Sequence, residues 1–94
     1  MQLAPNGSII DGVVRQILTE KSGFGRELVV DVKDTRAARG KKDFLNAAEG
    51  DRVTLFLAAP LTVEIGQRYR ILASVLGGPN GQRTVIESLS KKAG

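Results

Sequence analysis

The sequence predicts an all-β chain folded as a small five-stranded antiparallel barrel with at most one short helix. Three observations carry this. Apolar residues alternate with polar ones over several separate stretches, and glycine-rich turns divide those stretches. The length of 94 residues gives one domain with one core, and no room for a second sheet layer.

The first stretch, Ser8 to Glu20, places Ile9, Ile10, Val13, Val14, Ile17 and Leu18 at spacings that also suit a helix. Gly12 at its centre and the β-branched pairs favour a long, bent strand, with Gly12 at a bulge or tight bend. Lys21-Ser22-Gly23-Phe24-Gly25 then supplies a turn. In the second strand Leu28, Val30 and Val32 alternate with Glu27, Asp31 and Lys33, the pattern of a half-buried strand. Residues 43–49 form either a short helix or a loop. Val53, Leu55 and Leu57 alternate with Arg52, Thr54 and Phe56 in the third strand. In the fourth, Tyr69, Ile71, Ala73 and Val75 alternate with Arg68, Arg70 and Ser74. The fifth, about Gln82 to Leu89, follows the hairpin signal Gly77-Gly78-Pro79-Asn80-Gly81. A faint echo supports this register: Gly50-Asp51-Arg52-Val53 returns sixteen residues later as Gly66-Gln67-Arg68-Tyr69, a glycine turn opening a strand.

Charge is concentrated in one place. Residues 33–42 carry Lys33, Arg36, Arg39, Lys41 and Lys42 against Asp34, which accounts for the whole net charge of +4. The rest of the chain is neutral. A compact cation cluster on a neutral domain is suited to docking an anion, most commonly a phosphate backbone that releases condensed counterions. A solvated loop kept basic for solubility is the plainer reading. The chain reads as a single domain over 1–94, with its core in 7–90, a basic loop at 33–42 and a basic tail at 91–94.

Composition narrows the chemistry. There is no cysteine and no histidine, so disulfides, thiolate metal sites and the usual general base are absent. No apolar run approaches the ~20 residues of a membrane-spanning helix, and the N-terminus lacks a signal peptide's regions. These features predict a cytoplasmic protein without a membrane partner. The carboxylates Asp11, Asp31, Asp34, Glu64 and Glu87 show no recognisable pairing, and neither glycine-rich segment has a phosphate loop's Lys-Ser/Thr ending. The expectation is a non-enzyme that needs no cofactor and no metal.

A curved first strand containing Asp11-Gly12-Val13, followed by Leu28-Val29-Val30-Asp31-Val32-Lys33-Asp34, resembles the opening of OB-folds. Glu49-Gly50-Asp51-Arg52-Val53 and the closing hairpin extend that resemblance over roughly residues 8–90; an SH3-like barrel is the other five-stranded candidate. Within the class, residues 65–71 and 81–89 look like the final hairpin of filamentous-phage single-stranded DNA-binding proteins, although the tyrosine-rich loops of that family are missing. The resemblance implies a ligand lying along strands two and three, between the loops that join strands one and two and strands four and five. On this chain that surface takes Lys21, Phe24 and Arg26 from the first loop. Val29, Asp31, Arg52, Thr54 and Phe56 come from the outward strand faces, and residues 77–81 form the other wall. Arg36, Arg39, Lys41 and Lys42 extend the cationic track, and Arg70 projects outward where it can meet a phosphate. Guanidinium groups hold phosphates, and exposed aromatics offer bases a stacking platform. Phe44 and Tyr69 read instead as core residues. The expected partner is single-stranded DNA or RNA, with homodimerisation compatible. The rival is a protein-interaction module that uses Val29, Phe56 and Leu72 or a sheet edge.

Overall fold

A computed structural model describes residues 6–19, 25–43, 45, 47–78 and 81–92. Its strands are β1 (Ser8–Thr19), β2 (Arg26–Ala37), β3 (Arg52–Leu57), β4 (Arg68–Gly78) and β5 (Gly81–Lys91). They close a barrel in the order β1-β2-β3-β5-β4, with β4 returning to β1. This is the five-stranded barrel of OB-like architecture. Four seams are antiparallel. The β3–β5 seam is parallel, registered by Phe56 against Val85, because an odd number of strands cannot close with every seam antiparallel.

The alternation in the sequence fills the interior. Ile10, Val14, Leu28, Val30, Val32, Leu55, Ile71 and Ala73 are essentially inaccessible to solvent, and Leu57, Tyr69 and Ile86 lie among them. Each large aliphatic side chain so buried stabilises by about 1.5–3 kcal/mol. Val63, from the β3–β4 connection, joins this core and covers one end of the barrel. That connection is tied down at several points: Gly66 N–H donates to the Val14 carbonyl at 2.7 Å, and Glu64 N–H donates to the Tyr69 hydroxyl at 2.9 Å. Tyr69 is therefore core with a polar tip at the rim. Among the described residues of the 38–51 connection there are turns and no helix. Leu45 and Ala47 pack against the core from there, while Phe44 lies outside the described residues.

Two bulges steer the outer faces. At Gly12 the extra residue belongs to the partner strand: Gly12 pairs with Val32 and Asp11 with Asp34, which leaves Lys33 over. Gly12 is the residue that permits this close approach, since a Cβ there would lie 2.5 Å from Val30 Cγ1 and 2.7 Å from the Asp31 carbonyl oxygen. In the second bulge, Val14 pairs with Val30 and Gln16 with Val29, so Arg15 is extra on β1. A bulge bends its strand and re-aims the neighbouring side chains. Here the first turns Asp34 and Arg36 outward, and the second places Arg15 beside Asp31.

Candidate nucleic-acid interface

The outer face of β2 and β3 is set by the pairs Glu27–Phe56, Val29–Thr54 and Asp31–Arg52. At its centre the Asp31 carboxylate accepts from Arg52 Nε at 2.8 Å and from Arg15 Nε at 2.6 Å. These two guanidinium groups, Arg52 first, hold the carboxyl down to about 2 from its usual 3.8. Arg52's own pKa is raised in return by the hydrogen bond to Asp31. Arg52 thus sits on the expected face, but its charge is already committed.

Phe56 also lies on that face, half-buried, and its ring is occupied on two sides. The Arg83 guanidinium stands 4.0 Å from the ring centroid, a cation–π arrangement. Arg83 is also within 3.9 Å of the Glu27 carboxylate. Gly25, at φ 82°, brings its backbone onto the rim of the ring: a Cβ there would lie 2.7 Å from Phe56 Cζ. The aromatic surface on this face is therefore the composite of Phe56 and Arg83, not a bare phenyl face.

Arg26 opens β2 but shares the parity of Leu28 and Val30, so it points off the barrel end. Its guanidinium donates to the carbonyl oxygens of Ala59, at 3.3 Å, and Leu61. It fastens the β3–β4 connection rather than facing the β2–β3 surface. There an open groove of about 910 Å³ is lined by Thr19, Gly25, Arg26 and residues 58–63. Lys21 and Phe24 lie outside the described residues.

The basic segment 33–42 divides between two structures. Lys33 to Ala37 complete β2 instead of forming a loop, and Ala38 to Lys42 make a turn. That turn is clipped to the barrel by backbone bonds. Ala38 N–H donates to the Gly7 carbonyl at 2.8 Å, and Gly7 N–H donates to the Lys42 carbonyl at 3.0 Å. Next to Gly7, the Asn6 side chain donates to and accepts from the backbone of Val75, at 3.0 and 2.7 Å. Ser8 Oγ donates to Asp43 Oδ1 at 2.5 Å. None of these bonds uses a basic side chain.

The cations therefore fall into two classes. Arg15, Arg26, Arg52, Arg68, Arg83, Lys91 and Lys92 each bond a carboxylate or carbonyl group. Lys33, Arg36, Arg39, Lys41, Lys42 and Arg70 are exposed and make no hydrogen bond or ion pair among the described residues. This second class occupies the end of β2, its turn and the neighbouring part of β4.

Several partners escaped sequence reasoning. Asp11, isolated in the sequence, is buried on β1 and accepts from Arg68 Nε at 2.5 Å, from Arg68 Nη2 at 2.7 Å and from Lys92 Nζ. Chiefly through the Arg68 bonds, its carboxyl is held down to about 2, against the opposing effect of burial. Glu64 likewise accepts from Lys91 at 2.8 Å, which raises the lysine's pKa. Leu72 pairs with Ile9 and Ser88, so it does not share a patch with Val29 and Phe56. Among the described residues no cluster of three or more His, Cys, Asp or Glu side chains could hold a metal, and no helix is long and apolar enough to cross a membrane. Comparison of the chain with protein-family models, curated proteins and solved structures gives no match.

Proposed function

We propose that this chain is a non-catalytic single-stranded nucleic-acid-binding protein acting chiefly on single-stranded DNA. The observation that supports this most directly is the division of its cations. Among the described residues outside the 33–42 segment, every basic side chain but Arg70 engages a carboxylate or a carbonyl group. Lys33, Arg36, Arg39, Lys41, Lys42 and Arg70 instead stay solvated, with no bonded partner among the described residues, on backbone fixed by other groups. Cations held ready in this way release counterions when a polyanion arrives. The Phe56–Arg83 platform adds a surface on which an unpaired base can stack, which a duplex cannot use without unstacking. Phosphates then follow the turn and the end of β2.

Fluorescence anisotropy with matched single-stranded DNA, double-stranded DNA and RNA oligonucleotides, each at low and at physiological salt, tests this reading. Single strands should bind best and lose affinity steeply with salt. Replacing Arg36, Arg39, Lys41 and Lys42 together by Ser should flatten the salt slope by about 0.7 for each phosphate that is no longer neutralised. Stability should move by no more than about 0.5 kcal/mol. An unchanged slope reduces the cluster to a solubility device. Salt-indifferent retention with no oligonucleotide preference would point to a protein-interaction module.

A further inference from the structure

On the outer surface over β1, the residues Ile9, Asp11, Asp34, Arg36, Arg70 and Lys92 line a depression of about 100 Å³. The register explains the gathering. Asp11 lies between Asp34 on β2 and Arg70 on β4, and Ile9 lies beside Arg36. The Asp11 carboxylate at its base is already saturated by Arg68 and Lys92. Arg36, Arg70 and Asp34 make no hydrogen bond or ion pair among the described residues. Counting Arg68, the four cations and two carboxylates of this cluster leave a local charge of +2.

We infer that this depression is a seat for a phosphate monoester, such as the terminal phosphate of a nucleic-acid strand. At about 100 Å³ it has room for a group of phosphoryl size. Two available guanidinium forks suit phosphate oxygens. A monoester carries about −1.5 to −2 near neutral pH and, close to its second pKa of about 6, still bears a P–OH. That proton is a donor for Asp34, whose carboxylate can only accept. A phosphodiester has one charge and no such proton, so this seat favours strand ends over internal linkages. Only the source, a strand end, rests on the nucleic-acid reading; the monoester chemistry stands on the depression itself.

The test compares one labelled single-stranded oligonucleotide in three forms: 5′-phosphorylated, 3′-phosphorylated and unphosphorylated. A terminal phosphate should tighten binding by about tenfold, the scale of charge-assisted hydrogen bonding. Arg36→Gln and Arg70→Gln should each erase that advantage. Lys41→Gln, outside the depression, should weaken all forms together and leave their ratio unchanged. Circular dichroism confirms that the variants remain folded. In a second arm, a nucleoside monophosphate and inorganic phosphate are titrated separately into the labelled protein by NMR; shifts should centre on Arg36 and Arg70. Equal binding of all three oligonucleotides overturns the seat while leaving nucleic-acid binding intact, as does a preference that survives both glutamine variants. Monophosphate binding at Arg36 and Arg70 without oligonucleotide binding keeps the seat and overturns the nucleic-acid reading. No binding of any probe overturns both.

Discussion

Replacing Asp11 by Asn should destabilise the barrel in a way that fades in acid. The carboxyl is 9% exposed and is bridged to Arg68 on β4 and to Lys92 just past β5, so it ties together three parts of the barrel wall. Its folded pKa of about 2, against 3.8, is equivalent to about 2 kcal/mol at neutral pH. Solvent screening of the partner side chains, which are 37% and 46% exposed, reduces that to roughly 1–2 kcal/mol. The sign follows from the direction of the shift. A depressed carboxylate pKa gives stability that is complete above the unfolded value and is lost as pH falls through the folded one. The wild-type advantage over Asp11→Asn should therefore be full at pH 7, shrink below about pH 4 and be largely gone near pH 2. Asp31 titrates over the same window in both proteins and cancels in the difference. Urea denaturation at several pH values measures it, and in thermal melts each kcal/mol should appear as about 4–8 °C. A gap that stays constant down to pH 2, or no gap at pH 7, would refute the assignment of that stability to the ion pairs.

Gly12→Ala should cost about 1–3 kcal/mol, because its Cβ would meet Val30 Cγ1 and the Asp31 carbonyl oxygen; an unchanged urea midpoint would show that the strands separate freely there. Arg52→Ser should weaken single-strand binding less than Arg39→Ser in parallel anisotropy titrations, since Asp31 already engages Arg52. Equal losses would mean that the ligand displaces this bridge. Phe56→Ala should reduce affinity by about 1–3 kcal/mol. Arg83→Lys, which keeps the charge but loses the planar group, should reproduce much of that loss, whereas full retention of affinity would make Arg83 a mere point charge.

The interior was readable because its period is local. Leu28, Val30 and Val32, or Tyr69, Ile71 and Ala73, announce one inward face within a few residues. The bulge was readable on β1, where Gly12 marks it, but its extra residue, Lys33 on β2, was not. Continued alternation from Val32 would send Asp34 and Arg36 into the core, and it is the pairing of Gly12 with Val32 that turns them out. The same loss of alternation made 33–37 look like loop when it completes β2. The ion pairs were invisible for a different reason. Asp11 meets Arg68 and Lys92 only because β4 and β5 are wound back beside β1, over separations of 57 and 81 residues. Arg83 over Phe56 depends on the parallel seam, which no hairpin signal encodes. Of the expected site, Arg36 and Arg70 converge on one depression and Arg52 and Phe56 share another face, while Arg26 serves the barrel end.

The parallel seam carries a dynamic consequence. β3 is six residues long and is registered to β5 through a single pair, whereas β1 and β2 remain paired from Ser8 to Thr19. The barrel therefore resembles a rolled sheet fastened by a clasp, and sub-global opening costs least at that clasp. Backbone amides of β3 and the start of β5 should accordingly exchange with deuterium before those of β1 and β2. Glu27, Phe56 and Arg83 straddle the opening. A strand gripping the aromatic and the guanidinium together would hold the clasp shut, so protection gained on binding would be concentrated at the least protected edge of the free protein.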